Sequence, residues 1–430
     1  MDRRKFIKDG ALIAVAQGLA LDAAYGREQT TPRTAPVSGL SSFDKPMKSV
    51  SGHKDAMDLY LTWGDGEGPV DFRVSVRHFH GSCCYSFDQR HTPGRHFAGT
   101  YVLGRDTEVT GIAGPGMKEQ GLPFEVEWIP SRPRALKLAA RDTMTPLTLN
   151  VGDSVEYSLR DGTVHKIGFR FGTAEVTALG PDDIDGVTAR VTQYRFDAVF
   201  DIDGEPVTMS RLNAKESSFF EEPFVIGGMM IHLDALKCIF EDDGGFMGEK
   251  DVDGGITCRP KRDARIVIHD ASLPVCPGKI SSWFPGAERR HKNRICYHGR
   301  DTWMGPWSEG GSLAHGGLDI NMPDGTILSC PIDVDDQFLF QSIDDGDNNN
   351  RWRGIKRFED GTVWWIQAHH INFLLPGIVQ HLPLPSGTPY ADTAGTFIGR
   401  YEHSHFCLRI FDGEEDFWLD PWILMRAVSK

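Results

Sequence analysis

The chain has 430 residues, of which 40% are hydrophobic and 25% are charged, so its composition supports a buried core and excludes an intrinsically disordered protein. The 60 acidic residues exceed the 46 basic ones and give a formal net charge of −14, which argues against a nucleic-acid-binding surface because phosphate binding needs clustered lysines and arginines. The 47 glycines and 25 prolines indicate many turns and exclude a protein of long helices.

The first 26 residues have the features of an export signal. Basic residues that include Arg3 and Arg4 precede an apolar run at 11–21, which is too short to span a membrane. The Arg-Arg pair resembles a twin-arginine signal, and an ordinary secretory signal is the alternative. Both predict a protein exported to the periplasm or the extracellular space, with no membrane span in the mature chain. Residues 27–50 are rich in Thr, Ser and Pro and are interpreted as a linker.

Recurrent Asp-Gly pairs between β-rich runs predict the fold class. Such pairs begin at Asp161, Asp203, Asp324, Asp360 and Asp412. Asp-Gly favours a two-residue hairpin, because a type I′ turn needs a positive φ at both central residues. No segment of comparable length has a helical period. We therefore predict a mainly β protein, with a β-sandwich-like front domain over 51–265, divisible into two subdomains, and a second domain over 266–430.

The segment 401–411, YEHSHFCLRIF, is typical of a strand. Alternation along a strand places His403, His405 and Cys407 on one face, with about 6.6–6.8 Å between successive members. Two imidazoles on one face can serve one site, where one binds a metal and the other acts as a base. The chain has eight cysteines but no CxxC spacing, so the sequence gives no support for a zinc–thiolate site and assigns no disulfide.

A second candidate element is the segment HGGLD, which begins at His315 and ends at Asp319. A straight strand would separate these two residues by about 13 Å, but the two glycines permit a bend that brings both side chains to one point. Imidazole nitrogen and carboxylate oxygen are zinc ligands, and His405 is the natural third ligand. Three protein ligands leave one position for water, as in a catalytic zinc site.

These motifs resemble those of the lysostaphin/LytM-type zinc metallopeptidases, family M23, over residues 275–430. HGGLD followed by MPDGTILS is similar to the HxxxD motif of the family, QAHH to the segment with its first catalytic histidine, and HSHF to its terminal HxH strand. The resemblance implies a compact antiparallel β-sheet domain with a metal in its groove.

The resemblance also implies a role for each matched residue. His315, Asp319 and His405 would bind Zn²⁺, while His369 and His403 would be the catalytic histidines. The neighbouring His370 leaves open which residue of the His-His pair carries the role given to His369.

The resulting hypothesis is an exported zinc-dependent endopeptidase, a hydrolase that cuts peptide bonds in the peptidoglycan of the cell wall. The alternative is a cell-wall polysaccharide- or peptidoglycan-binding protein with an inactive M23-like domain, since metal ligands can be kept without catalysis. The acidic composition predicts no nucleic-acid partner.

Overall fold

A computed structural model gives the structure of the protein. It describes residues 47–50, 56–63, 72–78, 81–86, 94–102, 108–113, 124–184, 187–213, 223–236, 240–242, 245–247, 260–287, 318–341, 350–394 and 403–428. The predicted export signal over 1–26 and the predicted zinc ligand His315 lie outside the described residues. Strands make up most of the described chain, so the prediction of a mainly β protein is confirmed.

The front half of the described chain consists of strands joined by turns and loops. These strands are β1 (Met47–Val50), β2 (Ala56–Trp63), β3 (Phe72–His78), β4 (Gly81–Ser86), β5 (Gly94–Val102), β6 (Glu108–Ala113), β7 (Phe124–Pro130), β8 (Ala135–Ala139), β9 (Thr145–Leu149), β10 (Ser154–Ser158), β11 (Val164–Ile184), β12 (Val187–Ile202) and β13 (Glu205–Asn213). The last four residues of the predicted linker form β1.

The rest of the described chain adds further strands and a short helix near residue 425. These elements are β14 (Phe224–Ile226), β15 (Met229–Leu236), β16 (Phe240–Asp242), β17 (Gly245–Met247), β18 (Ala264–Asp270), β19 (Leu318–Asn321), β20 (Ile327–Ser329), β21 (Asp336–Phe340), β22 (Asn350–Arg357), β23 (Val363–Leu374), β24 (Pro389–Thr393), β25 (His403–Phe411), β26 (Asp416–Leu419) and α1 (Trp422–Arg426). In the described chain no helix has the length and apolar character needed to cross a bilayer.

The first large sheet has the strand order β13-β12-β11-β10-β8, with β1 paired to β11. Its pairs are antiparallel except for β10 and β8, which run parallel. Asp203 and Gly204 join β12 to β13 with φ angles of 55° and 92°. These are the two positive angles that a type I′ turn requires, so the local sequence determines this hairpin.

A second sheet, of order β14-β15-β18-β9, packs against the first. The two sheets approach closely at Gly172 of β11, where an added Cβ would lie 2.9 Å from Cδ1 of Leu236 in β15. β18 pairs with both β15 and β9, which belong to the front region. Position 266, where the second domain is predicted to begin, lies within β18.

The C-terminal sheet has the order β19-β25-β23-β22-β21, with β26 paired to β25 and β24 paired to β20 and β23. Along β23, Trp364, Ile366 and Ala368 are fully buried, and they face the core. The alternating residues Gln367 and His369 lie on the opposite face, since successive side chains of a strand point to opposite sides. The sheet therefore covers the core with one face and presents polar groups on the other.

One hydrophobic core extends from Ala140 in the front region to Met425 in α1. A buried ionic cluster crosses the same boundary. Within it, Nε of Arg265 donates to Oδ2 of Asp234 at 2.6 Å, and the backbone N–H of Asp420 donates to Oδ1 of Asp234 at 2.9 Å. Arg211 of β13 forms a buried ion pair with Asp420. The C-terminal end of the described chain is thus bound to the front sheets.

Three smaller sheets complete the described architecture. Their strand orders are β5-β2-β7, β4-β3-β6 and β16-β17. The first of them contacts the front region at two buried residues. Oγ1 of Thr100 accepts a hydrogen bond from Nδ2 of Asn150 at 3.2 Å, and Asp58 pairs with Arg262 at 3.5 Å.

Candidate metal centre

β23 and β25 are adjacent antiparallel strands in the interior of the C-terminal sheet. Their register pairs His369 with His405 and Gln367 with Cys407. Directly opposed residues of antiparallel strands project from the same face, with Cβ atoms about 4.5–5.5 Å apart. The pairing therefore brings two of the predicted site histidines together on the face of the sheet that points away from the core.

The side chains confirm this proximity. The imidazole rings of His369 and His405 have centroids 4.6 Å apart and an interplanar angle of 33°. The Sγ atom of Cys407 lies 3.2 Å from Nε2 of His405. One ligand atom from each of these three residues lies within 4.8 Å of the other two, which is a spacing suited to a single metal ion.

His369 is held as a neutral imidazole. Burial, reinforced by repulsion from His405 and from the arginines at 351 and 353, holds the pKa of His369 well below its ordinary value of 6.5. Nε2 of His369 is buried, and among the described residues none forms a hydrogen bond with it. A buried polar nitrogen without a partner costs free energy unless another group binds it. This atom is thus positioned to accept a ligand or a proton.

The adjacent His370 occupies a different position. β22 pairs Asn350 with Ile371 and Arg351 with His369, so His370 is the extra residue of a β-bulge. Its φ angle is 57°, in the left-handed region that non-glycine residues seldom adopt. The ring centroids of His370 and His405 are 6.3 Å apart, so of the two adjacent histidines His369 is the closer to His405.

The other predicted site residues are described only in part. β19 pairs with β25 on the side opposite β23, and this register places Asp319 opposite His405 and Asn321 opposite His403. The backbones of Asp319 and His403 are described, but their side chains are not. In backbone register, Asp319, His405 and His369 therefore form one row across three adjacent strands.

The same face of the sheet carries an arginine and an aromatic ring beside this row. The guanidinium of Arg353 donates two hydrogen bonds to Oε1 of Gln367, at 3.0 and 2.9 Å, and lies 4.0 Å from the ring centroid of Trp365. Behind His369, Oγ of Ser404 donates to its backbone carbonyl at 2.7 Å. These contacts fix β22, β23 and β25 relative to one another next to the two histidines.

Sequence reasoning placed Cys407 on the face of His405 but gave it no part in the site. The available signal was the strand alternation of His405 and Cys407, which the 3.2 Å contact confirms. The sequence could not separate this cysteine from the other buried thiols. Three described cysteines are free and buried, Cys276, Cys330 and Cys407, and of these Cys407 contacts a histidine.

Comparison with known proteins adds little to these observations. No protein-family model matches the chain, and no curated protein matches it significantly. Among solved structures, similarity is found to a protein from Pseudomonas aeruginosa described as a peptidase M23, with 10% identity over 67% of this chain and 96% of that one and a TM-score of 0.21. Csd3 from Helicobacter pylori has 11% identity over 63% and 75% of the two chains, with a TM-score of 0.20.

A zinc-containing peptidase from Vibrio cholerae has 12% identity over 61% of this chain and 83% of that one, with a TM-score of 0.19. Likenesses of this size carry no argument about the activity of this chain, which has to be inferred from its own residues.

Proposed function

We propose that the protein is a zinc-dependent endopeptidase that hydrolyses peptide bonds of peptidoglycan. The observation that supports this proposal is the row formed by Asp319, His405 and His369 across three adjacent strands. In this row, aspartate is a residue type that binds zinc through a carboxylate oxygen, and histidine one that binds it through an imidazole nitrogen. His369 adds a second, neutral imidazole next to His405. The motif resemblance at His315 and His403 completes the proposed site.

The donor set fits zinc. Under the proposal His315, Asp319 and His405 hold the ion, and a fourth position stays open for water or substrate, as catalytic zinc sites require. A bound zinc ion would polarise the scissile carbonyl and make a water molecule acidic enough to act near pH 7. Within the described part of the chain Nε2 of His369 has no hydrogen-bond partner, which supports a site whose polar groups bind a ligand.

The histidines of the chain then have distinct tasks. A neutral His369 has an unprotonated nitrogen that can accept a proton or, in its N–H tautomer, donate a hydrogen bond to the substrate oxygen as charge develops there. His403, two residues before His405 on β25, is proposed to orient and deprotonate the attacking water. Ser404, which holds the backbone of His369, keeps β23 and β25 aligned.

Arginines near the row favour an acidic substrate. Arg351 is exposed and pairs in register with His369, and Arg353 lies one pleat further along the same face. Guanidinium groups bind carboxylates through paired hydrogen bonds, and peptide stems of the cell wall carry carboxylates. The proposal places these stems across β22 and β23, next to the two histidines.

Turnover of purified cell-wall sacculi tests the proposed activity. Release of new amino groups supports the peptidase, whereas retention of the protein on sacculi without release supports the binding protein. The localisation remains a proposal from the twin-arginine motif at Arg3 and Arg4, and fractionation of cells that express the full chain tests it.

Two variants on one strand separate a ligand from a catalyst. His405→Ala should lose zinc and activity together, because it removes a proposed ligand. His403→Ala should keep its zinc and lose activity by about 10²–10⁴-fold, the usual cost of removing a general base. His370→Asn is the control, since asparagine tolerates a positive φ, and it should behave like the wild type. Zinc analysis beside the release assay decides among these roles: a metal-free His403→Ala variant with a metal-loaded His405→Ala variant would reverse the assignment.

A further inference from the structure

Cys407 lies in a polar contact that the proposed peptidase site does not use. Its Sγ atom is 3.2 Å from Nε2 of His405, and its residue is 1% exposed. Across the strand pair, the ring of His369 lies beside that of His405, with centroids 4.6 Å apart and the planes tilted by 33°. Two imidazole nitrogens and one sulfur thus converge from two adjacent strands, with all three ligand atoms within 4.8 Å of one another.

The other buried thiols of the C-terminal region have different surroundings. Cys330 donates its S–H to the backbone carbonyl of Ile332 at 3.0 Å, and burial raises the pKa of its thiol. Burial raises the pKa of the Cys276 thiol to about 12. Neither is grouped with a histidine among the described residues, and both are therefore suited to a structural role.

We propose that His369, His405 and Cys407 form a second metal-binding set, two nitrogens and one thiolate sulfur, that takes a thiophilic divalent ion such as Zn²⁺. Zinc accepts mixed imidazole and thiolate ligands, with bonds of about 2.0–2.3 Å. The set shares His405 with the zinc site of the proposed function, but Cys407 has no part in that site. Nε2 of His369 is buried and has no hydrogen-bond partner among the described residues, so the set contains a polar atom that a ligand would satisfy.

Charge balance explains why the sulfur is needed. Two imidazoles are neutral, and Arg351, the register partner of His369, and Arg353 on the same face both repel a cation. A coordinating thiol is deprotonated, and its negative charge offsets this repulsion. Replacement of Cys407 should therefore weaken metal binding by this set. The loss in affinity should exceed the about 10–100-fold that follows removal of a group that only orients a metal ligand.

The two metal-binding modes have opposite consequences for His369. A nitrogen lone pair that coordinates a metal cannot accept a proton from water at the same time. An ion held by His369, His405 and Cys407 therefore removes His369 from the role proposed for it in catalysis. The thiolate set would hold the metal in a resting state, and loss of the thiolate would release His369.

Cobalt(II) is the probe that tests the set, because a cobalt–thiolate bond produces a near-ultraviolet charge-transfer band that nitrogen and oxygen ligands do not give. The full chain should develop this band as one equivalent of cobalt is added. Cys407→Ala should lack the band, and Cys276→Ala, the same change at another buried free thiol, should keep it. His369→Ala should lower the cobalt affinity measured from the band.

The outcomes separate this inference from the proposed function. Cobalt bound without the thiolate band in the wild type would overturn the set of His369, His405 and Cys407 and leave the proposed peptidase site standing. A band that survives in Cys407→Ala would also overturn it. No cobalt binding at all would reject both. If Cys407→Ala does not fold, the near-isosteric Cys407→Ser gives the same comparison, and the wild-type spectrum decides in any case.

Discussion

Two close histidine pairs in the described part of the chain have different surroundings. In the front region, His232 of β15 and His269 of β18 stack with ring centroids 5.8 Å apart and an interplanar angle of 16°. In the C-terminal sheet, His369 and His405 lie 4.6 Å apart at 33°. Burial lowers the pKa of His232 to about 3 and that of His269 to about 4, and it lowers the pKa of His369 as well.

The two histidine pairs differ in the side chains that lie next to them. The front pair is 6% and 3% exposed, and in the described part of the chain it belongs to no cluster of metal-ligating side chains. The C-terminal pair has the thiol of Cys407 beside it and Asp319 in register with His405. Proximity and a lowered pKa therefore do not distinguish a site from a core contact. The carboxylate of Asp270, next to His269, accepts hydrogen bonds from Arg160 and Ser272, whereas the thiol of Cys407 contacts His405 itself.

The largest expected effect is on acid stability and comes from the front pair. His232 and His269 have folded pKa values of about 3 and about 4, below the ordinary 6.5, so the unfolded chain binds more protons at both residues between about pH 6.5 and pH 4, and at His232 down to about pH 3. The free energy of unfolding should then fall as the pH falls through this window, by about 1.4 kcal/mol per pH unit for each histidine. Urea unfolding at several pH values measures this slope.

His269→Gln should reduce the pH dependence of the free energy of unfolding by the contribution of one proton. This expectation holds whatever effect the substitution has on stability at neutral pH. His165→Gln is the comparison, because burial of His165 is opposed by its hydrogen bonds to Asp203 and Gly227, which together raise its pKa. An unchanged slope in His269→Gln would mean that the front pair is protonated in the folded protein.

The next largest expected effect is the stabilisation of the protein by zinc, which should depend on the C-terminal histidine pair and not on the front pair. At free zinc of about 100 times the Kd, binding should add about 2.7 kcal/mol to the free energy of unfolding. His405→Ala should abolish this gain, and His269→Gln should keep it, since within the described part of the chain the front pair belongs to no group of three metal-ligating side chains. Unfolding with and without zinc measures the gain; its loss in His269→Gln would reverse the assignment of the two pairs.

The smallest effect concerns the bulge beside the C-terminal pair. His370→Gly should change the free energy of unfolding by less than about 1 kcal/mol, because relief of the left-handed φ of 57° is offset by the greater freedom of glycine in the unfolded chain. Zinc content should be unchanged. A variant that loses its metal would show that His370, and not only its neighbour, belongs to the site.

Local features of this fold could be predicted from the sequence. The Asp203-Gly204 turn follows from two residues with known preferences, and strand β25 follows from the alternation of residues 403–411. The same alternation places His405 and Cys407 on one face, which the short contact between their side chains confirms. These features depend on neighbours in the chain, so a single sequence contains enough information for them.

The pairing of distant strands could not be predicted in this way. Periodicity shows which face a residue occupies but not which strand lies beside it, so the contact of His369 with His405 needs the register of β23 and β25. The bulge at His370 shifts the register of β22 and β23 by one residue, and nothing in QAHH predicts it. The pairing of β18 with front strands is likewise set by packing over long separations.

The buried ion pair between Arg211 and Asp420 has a consequence for the order in which the protein can fold during synthesis. Asp234 of the front region also faces Arg211, at 3.8 Å, but Asp420 is the nearer carboxylate, so Arg211 gains its full pairing only after Asp420 has left the ribosome. At about 5–20 residues per second, Asp420 follows Arg265 by roughly 10–30 s. During that interval β13 can pair with β12, and β18 with β15 and β9, while the buried pairing of Arg211 with Asp420 is still missing.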